Sequence, residues 1–148
     1  MGACAPAETM STYATPVPKA QTVIRPALAG LYWKLTAPAL GLVALLGFVL
    51  GPASLLGGFL TFDTTHNVVH LALAAVAAIL GFLVESGATQ KVAARVFGVV
   101  YLGLAVAGFL SADVFGVGSL VGLHLEVGEN LVHLALGAGA LYVGFAES

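Results

Sequence analysis

The stretch HNVVHLAL, residues 66–73, returns further along the chain as ENLVHLAL, residues 129–136. Sliding 63–82 onto 126–145 without gaps widens the match. Asn67 meets Asn130, and Val69-His70-Leu71-Ala72-Leu73 meets Val132-His133-Leu134-Ala135-Leu136. Ala75, Ala77 and Gly81-Phe82 meet Ala138, Ala140 and Gly144-Phe145, so ten of the twenty pairs are identical. Abundant Ala, Leu and Gly inflate such a count. They do not explain a matched Asn and a matched His in a chain with only 4 histidines. The repeated unit is Asn-x-x-His near the start of an apolar segment, and repetition of this kind is read before anything else because it sets the architecture.

The apolar segments around these copies decide the class. The chain has 148 residues, of which 59% are hydrophobic and 8% charged, with a mean hydropathy of +1.03. Soluble domains carry about 25% charged residues, so this chain has too few to coat a soluble surface. Stretches 32–50, 65–84, 92–110 and 130–145 approach the roughly 20 apolar residues that cross a bilayer. We expect an all-α integral membrane four-helix bundle. Residues 31–148 form it, as two hairpins covering about 31–86 and 91–147. Residues 1–30, rich in Ala, Pro and Thr, form an extended N-terminal arm with no signal-peptide pattern.

The first and third stretches match more faintly. Lys34 precedes Gly47-Phe48 at the spacing by which Arg95 precedes Gly108-Phe109. The two hairpins therefore read as parallel repeats about an axis along the membrane normal. Lys19, Arg25, Lys34, Lys91 and Arg95 all fall on one side of the spans, while Asp63, Asp113, Glu126 and Glu129 collect on the other. The positive-inside rule then puts both termini in the cytoplasm, in a bacterial inner membrane. Pro52 ends the first span, in the region where Gly51 loosens it. Gly87 is expected to close the second in the left-handed conformation. Small residues four apart (Gly47/Gly51, Ala77/Gly81, Ala94/Gly98, Ala140/Gly144) mark helix-packing faces. The apolar connections 51–63 and 111–128 read as interfacial turns or short helices, with a compact hairpin as the alternative.

His70 and His133 are the candidate functional residues, since ionisable groups inside a membrane are functional by default. They suit axial ligation of a tetrapyrrole, haem b or a chlorophyll or bacteriochlorophyll, with supporting hydrogen bonds from Asn67 and Asn130. The plainer role is a polar contact between helices. His66 shares a face with His70, but its counterpart is Glu129, and HNVVH lacks the glutamate of H-E-x-x-H. Asp63, His124 or Glu129 would have to be recruited by loop folding, so no metal site is expected. No Ser/His/acid or Cys/His set has catalytic spacing, and no enzyme activity is expected. Net charge is −2, which offers nothing to nucleic acid. Cys4 stands alone.

The two N-[VL]-V-H-L-A-L copies, with Arg95 and FGVVYLGLAVAGF between them, resemble a family of small four-span bacterial membrane proteins catalogued as a domain of unknown function. The resemblance covers about residues 32–145 and implies four spans, with no activity or cofactor. Added to it, the arm suggests an accessory or scaffold subunit. Such a subunit would contact the lipid bilayer and, through its spans and arm, a larger energy-converting or photosynthetic membrane complex. A free-standing bis-His haem protein is the alternative, and a small transporter or channel the second.

Overall fold

The computed structural model describes residues 1–2, 28–51, 53–55, 59–111 and 125–146. Residues 3–27 of the arm and most of the second outer connection, with Asp113 and His124, lie outside the described residues, while residues 28–30 already belong to the first helix. Four helices dominate. α1 spans Leu28–Leu50, α2 Thr64–Ala78, α3 Gly87–Leu110 and α4 Val127–Phe145. Three helical stretches, Leu28–Leu50, Thr64–Leu83 and Gly87–Leu110, are long and apolar enough to cross a membrane. α4 has 19 residues, but Glu129, Asn130 and His133 in its first turns lower its hydropathy, and it is not among the three.

The outward faces of the helices are largely apolar. Leu35, Val49, Leu83, Val99, Leu110 and Phe145 are each more than half exposed. Monomeric soluble proteins rarely show apolar patches beyond a few hundred Å². Much of the interior is polar or small: Ala29, Ala44, Ala77, Ala94, Ala105 and Ala140 are fully buried, and Asn67, Asn130, His66 and His133 are buried beside the larger Trp33, Leu40, Tyr101 and Leu125.

Small residues set the helix distances. α1 packs most closely on α2, and α3 on α4. A Cβ on Gly47 would strike the Asn67 side chain, and one on Gly108 would strike that of Asn130. At the other end of the helices, a Cβ on Gly81 would lie 2.8 Å from the Lys34 backbone nitrogen, and one on Gly144 3.1 Å from that of Arg95. Lys34 Nζ stands 6.0 Å from the Phe82 ring centroid, and the Arg95 guanidinium 4.5 Å from that of Phe145. Arg95 also donates to the Gly144 carbonyl (2.8 Å).

Two glycines act differently from expectation. Gly87 does not close the second helix. It is the first residue of α3, and Ser86 before it accepts a hydrogen bond from the Thr89 N–H (3.3 Å) as N-cap. Gly51 is not a packing residue but a helix terminator. Its φ is +70°, no described residue lies where its Cβ would be, and its N–H donates to the Gly47 carbonyl. Pro38 sits on the exposed side of α1 without ending it. The first outer connection is the hairpin alternative rather than a helix: β1 (Ala53–Leu55) pairs antiparallel with β2 (Leu60–Phe62).

After Ala78 the second helix widens into a π segment, Ile79–Leu83, a shape that frees carbonyls for other donors. Gln90 supplies them. Its buried side-chain amide donates to the carbonyls of Leu80 and Val84, both at 2.8 Å, while its backbone carbonyl accepts from the Trp33 indole (3.0 Å). Trp33 packs there on Ala37, Ala77 and Ala94. Gln90→Leu leaves two carbonyls without donors and is expected to cost roughly 1–3 kcal/mol. A denaturation midpoint in detergent equal to that of the parent chain would contradict it.

Candidate metal centre

Asp63 and Glu126 begin the helices that carry the repeated motif. Asp63 is the N-cap of α2, its carboxylate accepting from the His66 N–H at 2.7 Å. Glu126 is the N-cap of α4, and its N–H donates to the Glu129 carboxylate. These caps fix the first turn of each helix, so residues one turn further on project from a rigid start. On α2 those residues are His66 and His70. On α4 they are Glu129 and His133.

The four side chains converge. His66, His70 and His133 each present a ligand atom, and these atoms lie within 4.8 Å of one another. The ring centroids of His66 are 4.4 Å from those of His70 and 6.0 Å from those of His133. The His66 Nδ1 is 3.9 Å from Glu129 Oε1 and 4.0 Å from Asp63 Oδ2. Glu129 is 6% exposed and His133 4%. A carboxylate so buried is costly unless a positive charge or a set of donors meets it. Among the described residues, His133 Nδ1 and Asn130 Oδ1 are buried without a hydrogen-bond partner.

The sequence singled out His70, His133, Asn67 and Asn130. The structure brings His70 and His133 together, but not as an isolated pair. His66, passed over because its counterpart is not a histidine, lies within reach of both. Asn67 and Asn130 lie against Gly47 and Gly108 of the neighbouring helices. Asn130 also donates to the Leu125 carbonyl at 3.4 Å.

Two spaces flank the cluster. The larger, a cavity of about 240 Å³, lies between α1 and α4 and touches Ala39, Leu40, Val43, Leu60, Val132 and Leu136 besides the polar residues. The smaller, about 40 Å³, lies on the α2–α3 side against Val69, Leu73, Tyr101, Leu104 and Leu125. Tyr101, 3% exposed, fills most of that side. Its ring meets His133 edge-on at 5.0 Å and stacks on Phe97 at 3.9 Å.

An imidazole binds a divalent transition ion at about 2.0–2.1 Å. Tetrahedral ligands then stand roughly 3.4 Å apart, so ligand atoms within 4.8 Å close onto an ion by small side-chain rotations. Three imidazoles and a buried carboxylate form a donor set suited to zinc, copper, iron or nickel. No protein-family model, no curated protein and no solved structure matches this chain.

Proposed function

We propose that this chain is a non-catalytic integral membrane four-helix protein, built from two equivalent hairpins, that holds one divalent transition-metal ion between them. His66, His70 and His133 are its ligands, and Glu129 supplies the counter-charge. The observation that carries this reading is the convergence of three imidazoles from two helices, their ligand atoms within 4.8 Å of one another. Imidazoles that merely bridge helices need one partner each; three in one volume share a common centre.

The equivalence of the hairpins is supported by contacts that occur twice: Asn67 on Gly47 and Asn130 on Gly108, then Lys34 on Gly81 and Arg95 on Gly144. In that frame His66 and Glu129 occupy the same position, as do His70 and His133. The metal would sit on the axis relating the halves. With basic residues at the opposite ends of the helices, the ion lies toward the outer side of a bacterial inner membrane, and both termini face the cytoplasm.

The same geometry favours an ion over a tetrapyrrole. A bis-His haem or a chlorophyll needs a flat, wide space beside each ligating imidazole. His66 takes that space, its ring centroid 4.4 Å from that of His70 and 6.0 Å from that of His133.

Titration of the metal-stripped protein with Co²⁺ tests the proposal. One equivalent is expected to bind, with the intense visible bands of a four-coordinate site. Zinc should displace it. A chain that takes up no cobalt, or only scattered weak equivalents with a pale octahedral spectrum, would refute the reading.

A further inference from the structure

The two spaces beside the histidines occupy equivalent places, and one is filled where the other is open. Aligning α1 with α3 through Lys34 and Arg95 sets Leu40 against Tyr101 and Val43 against Leu104. Aligning α2 with α4 sets Val69 against Val132 and Leu73 against Leu136. Seven of the eight residues lining the 40 Å³ space, all but Leu125, therefore map onto residues lining the 240 Å³ cavity. The one large difference among them is that Tyr101 stands where the open side has Leu40. The second half of the molecule fills with its own phenol ring a volume that the first half leaves empty.

From this we propose that the cavity between α1 and α4 is a binding site for a phenolic or quinol ring, seated against His70 as Tyr101 is seated against His133. The proposal rests on the equivalence of the two hairpins but not on the metal. Size agrees, since an apolar cavity of about 150 Å³ already admits benzene. Chemistry agrees as well. The walls are Leu, Val and Ala, while His66, Asn67 and Glu129 reach the same space and offer a hydroxyl its hydrogen bonds. A purely polar ligand would waste the walls. Such a ring arrives either as a membrane-borne quinol head or as a soluble phenol.

The test uses the full chain in lipid nanodiscs and 4-fluorophenol, followed by its fluorine resonance against empty nanodiscs. The parent protein is expected to bind one equivalent. Leu40→Tyr, which copies the filled side, should bind none. Tyr101→Leu, which copies the open side, should bind two. Should Leu40→Tyr fail to fold, Val43→Phe obstructs the same space and is expected to lower affinity at least tenfold. No binding to the parent, or binding unaffected by both cavity-filling changes, would overturn the proposal. Displacement by a decyl-tailed benzoquinol would identify the membrane-borne source, and displacement only by water-soluble phenols the other. The titration is repeated on metal-stripped and Co²⁺-loaded protein. Fluorophenol binding without cobalt uptake would sink the metal reading alone.

Discussion

His66→Ala is expected to weaken Co²⁺ binding at least a hundredfold, as much as His70→Ala or His133→Ala. Changes to groups that only orient a metal's ligands typically cost 10–100-fold, and loss of a ligand itself should exceed that. The prediction separates two views of the chain. If the repeated Asn-x-x-His unit alone defines the site, His66 is dispensable. If the convergence of three imidazoles defines it, His66 counts equally. Glu129→Gln keeps the volume and removes the charge. It is expected to weaken cobalt by roughly 10–100-fold while leaving the four-coordinate spectrum in place. Equal cobalt affinity in the parent and His66→Ala proteins would return the site to the repeated pair. Thermal unfolding of each variant in the metal-free state guards against a trivial loss of fold.

Gly108→Val should destabilise the bundle by about 2–4 kcal/mol, with Gly47→Val close behind. Overpacking a tight core costs roughly 1–3 kcal/mol, and here the displaced group is a buried amide whose hydrogen bonds are disturbed as well. At both positions the added carbons enter the space of an asparagine side chain, Asn130 or Asn67. Each asparagine is almost fully buried, so it has nowhere to retreat. The change also pushes His133 or His70, one turn along the same helix, away from the cluster, so cobalt affinity should fall together with stability. Gly103 is the control: among the described residues nothing lies within 4 Å of a Cβ placed there, and Gly103→Ala should leave both quantities within error or raise the stability. Parent-like SDS-unfolding midpoints for Gly108→Val and Gly47→Val would mean that these close approaches are not what holds the helices.

The helices were legible because hydropathy is a property of composition over twenty residues and tolerates local error. Their ends were less so. Gly51 and Gly87 follow a helix in the same way in the sequence, yet only Gly51 adopts the left-handed conformation. Ser86 captures the chain for the next helix before Gly87 can end the last one. The site was half legible. Comparing like with like found His70 and His133. It discarded His66 because the equivalent position holds Glu129, although a histidine and a carboxylate are both metal-site residues and attract one another. The signal that finds all four is positional: acid or imidazole at the first site and imidazole at the second, one turn apart, at the same register of each even-numbered helix. The cavity was not legible at all. Its contrast with the filled side lies chiefly in Leu40 against Tyr101, a difference that has meaning only when the two halves are superposed.

The start of α4 is tied to the first half of the chain. The Gly128 N–H donates to the Phe59 carbonyl at 3.0 Å, and a Cβ on Gly128 would press on the Phe59 ring and carbonyl. α4 is also the helix whose polar turns count most against entry into lipid. In biosynthesis its docking point at Phe59 and the histidine that meets Glu129 are both made before it. The order of translation matches the order of need: the first hairpin offers a template for α4, and a circularly permuted chain that begins with the second hairpin would make its most polar helix start before the surface it docks on.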